Sequence, residues 1–456
     1  MYKSFFSLIT FAVVFVSNAQ DSLFLLDLEN FMLHLKENHP IAMVAQNDIF
    51  IADQVIRMAK GNFDPKILGD FDQKFYDGTT YYSTLSTGVK IPTRLGWTVN
   101  AFGDWNRGAY INPQENIPDG GLTYLGVSVP LGRGMFTDEQ RTQLKQATVA
   151  YQQSSVERKL VLNELLYSAG KDFIDWQEQQ AQVQIAEELV NIARIRLDQL
   201  KENVRVGERA AIDSAEASAQ LYTREAELAQ RKMLLQQARY RVENYLWDKG
   251  LRPLLLPEDV QPTPILLLTT SMENDAVIHP LLENYRLKIN QLELERKLKL
   301  EQLKPGLTVH YNILQPASEV FSTNYSFRNY KWGATFSMPI LLRKERSGLA
   351  ITRLKMANTT LEMSQKQREL AAKVDISRTE WLSFLKQVEF QQLSVNRMQQ
   401  VTEAERALFA LGESSLFLVN AREITFWQSQ TKVIESMAKS VKAALGVRYY
   451  QGQLGE

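Results

Sequence analysis

The sequence from Gly121 to Ala147 reads GLTYLGVSVPLGRGMFTDEQRTQLKQA, and a similar stretch, YKWGATFSMPILLRKERSGLAITRLKMA, extends from Tyr330 to Ala357. In each, a segment of alternating polar and apolar residues ends in Ser-apolar-Pro, and a long polar segment follows. Four residues of the first polar segment recur 210 positions later, namely Thr142, Leu144, Lys145 and Ala147 as Thr352, Leu354, Lys355 and Ala357. Such self-similarity predicts a duplicated architecture.

The alternating segments predict strands with one apolar and one polar face, because side chains on a strand point to opposite sides in turn. The apolar set comprises Leu125, Val127 and Val129 in the first segment and Trp332, Ala334, Phe336 and Met338 in the second. This pattern fits a soluble antiparallel sheet, and it also fits a membrane barrel with a water-filled lumen.

The composition excludes several classes of function. The 456 residues carry 52 basic and 52 acidic side chains, so net charge gives no argument for a nucleic-acid partner. The absence of cysteine excludes disulfides, thiolate metal sites, cysteine nucleophiles and a lipid-modified cysteine. We find no phosphate loop and no hydrolase or metalloprotease motif, so the sequence predicts neither an enzyme nor a cofactor.

The first 19 residues are typical of a secretory signal peptide. Lys3 precedes the apolar run Phe5–Val16, and Ser17-Asn18-Ala19 offers a cleavage site. A membrane anchor is the alternative, but the run is short for a spanning helix. Because no other stretch has 18 consecutive apolar residues, any membrane-embedded part of the mature chain must consist of strands.

A helix, a proline and strands follow one another in both halves. Helical sequence at 24–62 contains His39-Pro40 and stops before Pro65; helical sequence at 273–304 contains His279-Pro280 and stops before Pro305. Both pairs of motifs lie 240 residues apart. A metal site with one histidine per half is the alternative to a structural role. The structural role is favoured because one histidine per half without paired Cys, Asp or Glu is a weak metal signal, and because each histidine precedes a proline that restricts its backbone.

Strand-like sequence occupies about 66–130 in the first half and about 306–339 in the second. The second region has room for one hairpin. The first has room for that hairpin and about 31 further residues, at 80–111, which we expect to form an extended hairpin or surface loop. The expected barrel wall therefore contains four strands from each chain.

Long polar helices follow the strands, at about 137–206 and 343–411. Each would extend about 100 Å at 1.5 Å per residue, which is typical of coiled coils. Their many acidic side chains are expected on solvated faces. Each helix reaches a Gly-Glu, at Gly207-Glu208 and Gly412-Glu413, and a return helix follows at 210–247 and 415–445.

The whole mature chain resembles the outer membrane efflux protein family, the TolC-like channel-tunnels. The resemblance rests on the duplicated order of helix, strands, long helix, glycine turn and return helix, and on the repeated Ser-apolar-Pro junctions. By this resemblance the mature chain divides into a first repeat at 20–247, a connector or equatorial segment at 248–272, a second repeat at 273–445 and a C-terminal tail at 446–456. The fold class is mainly α with a membrane β-barrel part.

The resemblance implies a homotrimer with four strands per protomer in a shared 12-stranded outer-membrane barrel, and a helical tunnel that extends into the periplasm. A periplasmic adaptor and an inner-membrane pump would dock at the far end. In this arrangement Val127, Val129, Phe336 and Met338 face lipid, whereas Ser128 and Ser337 face the lumen. No nucleic acid or metal is implied.

The resemblance also assigns the tunnel tip. The adaptor-docking turns are Val206-Gly207-Glu208-Arg209 and Leu411-Gly412-Glu413-Ser414. Glutamate replaces the leucine of the family's Val-Gly-Leu-Thr-like turn in both. Asp213, six residues after the first glycine, is a gating candidate, with ordinary placement in the first turn of a helix as the alternative. The rival to a passive export conduit is a structural or adhesive coiled-coil protein of the cell envelope.

Overall fold

The computed structural model describes residues 25–267, 279–319 and 326–455. The expected signal peptide lies outside these ranges, as do residues 268–272 of the connector and the start of the helix expected at 273–304. None of the helices in the described ranges is long and apolar enough to cross a bilayer.

The described residues contain seven α-helices of very unequal length. They are α1 (Leu28–Asn38), α2 (Pro40–Gly61), α3 (Glu139–Arg205), α4 (Ala211–Glu243), α5 (Pro280–Gln302), α6 (Arg343–Ala410) and α7 (Leu416–Gln451). The 67 residues of α3 and the 68 residues of α6 confirm the two long helices expected from the sequence. Each is about 100 Å long.

The shorter helices pack along the long ones. Helix α4 returns along the distal half of α3, and α2 packs against the half nearest the strands, where Asn62 donates a hydrogen bond to Gln143 (3.1 Å). In the second repeat α7 returns along α6, and α5 packs between α3 and α6. Entry and return helices thus share the length of one long helix, as the sequence suggests.

Both His-Pro motifs are helix starts. The imidazole Nδ1 of His39 accepts a hydrogen bond from the amide of Ile41 (3.2 Å), and that of His279 accepts from Leu281 (3.0 Å). The following proline occupies the first turn, where its missing N–H leaves no bond unmade. The motifs are therefore caps, and the first divides the segment 24–62 into α1 and α2.

The largest cluster of buried side chains lies midway along α3. Phe31 of α1 stacks on Phe173, and Phe173 meets Trp176 edge to face. A two-stranded parallel sheet beside this core pairs β1 (Leu25–Leu26) with β6 (Gln261–Pro262), so the described part of the connector contributes a strand to it.

The C-terminal segment belongs to the same core, and the expectation of a separate tail from residue 446 is wrong. Helix α7 continues to Gln451, and Leu454 is buried with its amide donating to Asn163 Oδ1 (3.2 Å). Polar composition suggested a tail, but Gly446 and Val447 are buried where α7 packs on neighbouring helices.

One antiparallel sheet caps the end of the helices. Its strands, within the described residues, are β2 (Lys66–Tyr76), β3 (Thr79–Pro92), β4 (Thr98–Arg107), β5 (Leu122–Pro130), β7 (Gly306–Pro316) and β8 (Tyr330–Ser337). They are hydrogen-bonded in the order β2-β3-β4-β5-β7-β8. The first four come from the first repeat and the last two from the second.

Six strands per chain correct the expectation of four. The segment expected to form a hairpin or loop outside the wall is β3 and β4, and both pair along their length with strands of the same sheet. Alternation in sequence predicted that these segments were strands. It carried no information on their partners, which the ladder from Lys66↔Lys90 to Asp104↔Leu122 supplies.

Candidate functional site

The register of the sheet collects apolar side chains on one face. Residues directly opposite each other in an antiparallel ladder lie on the same face. Two successive rows on this face are Ile67, Val89, Ala101, Leu125, Ile313 and Tyr330, and then Ile91, Val99, Val127, Tyr311 and Trp332. The apolar surface therefore extends without interruption from one edge strand to the other.

The opposite face is polar. The row between those two consists of Lys66, Lys90, Asn100, Gly126, Asn312 and Lys331. Further polar contacts follow on this face, where Asn100 donates to Ser128 Oγ (3.0 Å) and Ser86 donates to Asp104 Oδ1 (2.7 Å). One face is therefore suited to water and the other to a nonpolar medium.

No part of the described chain covers the apolar face. Ile67 is 83% exposed and Phe336 is 67% exposed. Monomeric soluble proteins rarely expose a contiguous apolar surface of this kind, and such a surface marks contact with a membrane or another protein. This exposure decides against a soluble sheet that buries one face.

Three of the four side chains expected to face lipid share this apolar face. The ladder places Val127, Val129 and Phe336 on it and Ser128 and Ser337 on the other. Met338 lies one residue beyond the last ladder pair, Gly306↔Ser337, so the sheet register does not assign its direction.

The far ends of the long helices close in two identical turns. Gly207 (φ 82°) and Gly412 (φ 79°) adopt the left-handed conformation, which suits glycine at a helix end. The amides of each glycine and the next residue donate back into the helix: Gly207 to Val204 (3.1 Å), Glu208 to Asn203 (2.9 Å), Gly412 to Phe409 (3.1 Å) and Glu413 to Leu408 (2.9 Å). Both are Schellman turns, as the repeated sequence indicates.

Apolar side chains flank both turns and are exposed. Val206 is 56% exposed and Leu411 is 75% exposed. The structure adds Ile212 (74%) and Phe417 (69%), each in the first turn of a return helix. The sequence reasoning did not identify these two, although each is an apolar residue in the first turn of a helix that directly follows an exposed turn.

The remaining residues expected at the tip occupy different environments. The guanidinium of Arg209 lies 4.9 Å from the ring centre of Phe409 and so connects the two turns. Glu208 and Glu413 are exposed, and the Ser414 hydroxyl donates to Glu405. Asp213 is half-buried in the first turn of α4.

A buried ionic cluster behind the tip joins four helices. Glu423 of α7, which is 0% exposed, accepts hydrogen bonds from Arg196 of α3 (2.8 Å), Arg224 of α4 (3.1 Å) and Arg406 of α6 (2.9 Å). Nothing in the sequence indicated that Glu423 is buried. An isolated acid in a polar helix gives no sequence signal of burial, because its partners lie on other helices.

The three arginines control the charge of Glu423. Burial by itself would raise the pKa of the carboxyl, but the hydrogen bonds and positive charge of Arg196, together with Arg406 and Arg224, outweigh burial and lower the pKa. Burial lowers the pKa of Arg224. The cluster is an ion-pair network between helices.

Solved structures with this architecture are outer-membrane channels. The open state of the MtrE outer membrane channel of Neisseria gonorrhoeae is similar with a TM-score of 0.69 and 12% identity, over 94% of this chain and 89% of that one. The outer-membrane channel OprN gives a TM-score of 0.70 at 12% identity over 94% and 91% of the two chains. The CmeC outer membrane channel of Campylobacter jejuni gives 0.65 at 11% over 93% and 85%.

Comparison by sequence finds no relative. No family model matches the chain, and no curated protein does. The structural likeness establishes the fold, which is that of these outer-membrane channels: long helices joined to one antiparallel sheet.

Proposed function

We propose that this chain, which has the fold of outer-membrane efflux channels, forms the outer-membrane conduit of a tripartite export system. It is a passive channel in the outer membrane that extends into the periplasm. An inner-membrane pump and a periplasmic adaptor deliver the substrate at the tip. The observation that carries the proposal is the uncovered apolar face across all six strands, opposite a polar face.

The two faces fit the two media that a membrane channel separates. Strands in a bilayer alternate between lipid-facing apolar and lumen-facing polar side chains. The lysines and asparagines of the polar face then line water, and the apolar rows meet lipid. A sheet with two free edges cannot remain in lipid, because the unpaired backbone groups of its edges would lack partners. The conduit therefore needs further copies of the chain.

Exposed apolar stripes on two helices support assembly of copies. Helix α2 carries Ile41, Val44, Ile51, Val55 and Met58, which follow a heptad spacing and are 36–73% exposed. Helix α6 carries Ile351, Leu354 and Leu361 with the same kind of spacing, 54–69% exposed. Stripes of this spacing pack against other helices in coiled coils. A homotrimer, the assembly implied by the family resemblance, would cover them.

The tip supports the docking of a partner. Both turns lie about 100 Å from the strands, because α3 and α6 have equal length. Their flanking apolar side chains, Val206 and Leu411, are exposed at this distant level, where a partner protein could bury them. The charged neighbours Glu208, Arg209 and Glu413 would then discriminate between adaptors.

Reconstitution tests the proposal. Purified protein, extracted from outer membranes in detergent, is added to a planar lipid bilayer, and discrete conductance steps are expected. A matched sample that carries a lysine at Phe336, on the apolar face, should insert less often at equal protein concentration. Absence of conductance from wild-type protein that is correctly assembled would favour the rival function, a structural coiled-coil protein of the envelope.

A further inference from the structure

The internal repeat specifies how the sheet closes. Pro65 and Pro305 precede β2 and β7 and lie 240 residues apart. Pro130 is the last residue of β5, Pro339 lies two residues beyond the end of β8, and these two prolines lie 209 residues apart. Strand β2 is therefore the repeat equivalent of β7, and β8 is the equivalent of β5. The pair β5–β7 is formed within the chain, whereas its equivalent, β8 with β2, has both members at free edges.

The directions of the free edges are compatible with pairing. Six antiparallel strands are an even number, so β2 and β8 run in opposite directions. Strand β8 of one copy can thus form an antiparallel ladder with β2 of the next. In the single chain all residues of β2 are exposed, as are all but one of β8.

We infer that this chain forms an eighteen-stranded barrel from three copies of its six-stranded sheet, closed by β8 of each copy pairing with β2 of the next so that Ser337 lies opposite Asp70. The trimer itself rests on the proposed function. The register follows from the internal ladder, in which Ser128 lies opposite His310. Moving β5 forward by 209 residues and β7 back by 240 converts that pair into Ser337 and Asp70.

The inferred register keeps the two faces of the sheet intact. Ser337 and Asp70 both belong to the polar face, and the adjacent pair, Phe336 with Phe71, brings together two residues of the apolar face. A shift by one residue would place apolar side chains among polar ones. The repeat equivalence gives the register, and the face pattern agrees with it by excluding shifts of an odd number of residues.

The helices below the edges support the same closure. Helix α2 leads into edge strand β2, and α6 follows edge strand β8. Their equivalents, α5 and α3, pack together within the chain. The apolar stripes of α2 and α6 are left exposed, so the contact between α6 of one copy and α2 of the next would bury both stripes.

The inferred closure produces a wide barrel. The diameter of a barrel grows roughly in proportion to the number of strands, and barrels of about 16 to 18 strands enclose an aqueous channel. Strands β3 and β4 add six strands to the wall of the trimer, so the inferred barrel is wider than one built from four strands per chain.

Cysteine cross-linking tests the closure, because the natural chain has no cysteine. The double variant Ser337→Cys with Asp70→Cys should form disulfide-linked dimers and trimers on mild oxidation in outer membranes. The repeat-matched double variant Ser128→Cys with His310→Cys should form a bond within one chain, without an increase in mass. Ser337→Cys with Phe71→Cys, which places the thiols on opposite faces, should cross-link far less.

A second measurement tests the number of strands, since a four-stranded wall without β3 and β4 could close through the same edges. Nitroxides at Leu85→Cys and Ser86→Cys, adjacent residues near the middle of β3, should report lipid and water respectively. Water at both positions, with the inter-chain cross-link present, would overturn the eighteen-stranded barrel and leave the conduit and its trimer intact.

Absence of the inter-chain cross-link, when the matched pair within the chain forms, would overturn the closure. If chemical cross-linkers then also found only monomers, the trimer of the proposed function would fail as well.

Discussion

The carboxylate of Glu423 accepts a hydrogen bond of 3.1 Å from the guanidinium of Arg224, and both side chains are buried although they belong to different helical hairpins. Arg224 lies on α4 of the first repeat, and Glu423 lies on α7 of the second. A single acid, which also binds Arg196 and Arg406, thus links the two hairpins behind the tip.

Removal of this acid should loosen the tip. Glu423→Gln leaves the buried arginines without a counter-charge, and breaking a buried ion pair from one side costs about 3–5 kcal/mol. We expect a broader distance distribution between nitroxides at Tyr222→Cys on α4 and Thr425→Cys on α7, both exposed positions. The control, Glu403→Gln, removes an exposed acid of α6 and should leave the distribution unchanged.

A compensating change separates charge from packing. Combining Glu423→Gln with Arg224→Met removes the acid together with the most deeply buried of its three arginines, and leaves Arg196 and Arg406 in place. The double variant should recover part of the narrow distance distribution. If it were as broad as the single variant, uncompensated charge on Arg224 would not be the cause of loosening.

The pH dependence of the tip follows from the lowered pKa of Glu423. A carboxyl with a lowered folded-state pKa contributes stability above its ordinary value, 4.5, and loses it as the pH falls below that value toward the folded pKa. The difference between wild type and Glu423→Gln in the nitroxide distance distribution should therefore be constant from about pH 8 to pH 6 and shrink below about pH 4.5. A difference that disappeared near pH 6 would mean that the arginines do not hold the carboxylate charged.

Adjacent residues of β8 should report opposite environments. Phe336 lies on the apolar face and Ser337 on the polar face, so Phe336→Lys should reduce the stability of the inserted barrel. Because Phe336 is close to the helix-proximal end of β8, the loss should be smaller than the roughly 2–4 kcal/mol that a lysine costs at the bilayer midplane. Ser337→Lys should have a much smaller effect. Barrel folding in lipid vesicles under urea provides the measurement, and equal losses for both variants would contradict the lipid-facing assignment of Phe336.

The sequence predicted features that depend on local chemistry. Helices of about 70 residues follow from uninterrupted polar composition, and the turns at Gly207 and Gly412 follow from glycine after a long helical run. The sequence also predicted the strands, because the alternation of polar and apolar residues is a local pattern as well. The partners of β3 and β4 were not predictable, because alternation is identical in a strand of the wall and in a protruding hairpin.

Long-range contacts account for the other differences. Glu423 resembles any acid on a solvated helix until three arginines from α3, α4 and α6 surround it. The polar end of the chain resembles a loose tail until Leu454 reaches the central core. In both cases the deciding partner lies on another helix or more than 100 residues away in sequence, beyond the reach of any local pattern.

The exposed apolar side chains at the two turns should be required for export and not for assembly. Val206 and Leu411 are the caps of α3 and α6, and neither supports the core of its own chain. In cells that depend on the chain for export, Val206→Asp with Leu411→Asp should therefore leave an assembled, heat-resistant oligomer in the outer membrane and abolish export. The matched control, Met233→Asp, changes a residue of α4 whose exposure (51%) is close to that of Val206 (56%) but which is remote from the turns, and this variant should export normally. Co-purification of the adaptor from cross-linked cells should be lost in the double variant alone.

Normal export with both aspartates present would show that the partner does not engage the tip through these residues, and that Ile212, Phe417 or the charged residues of the turns form the contact instead.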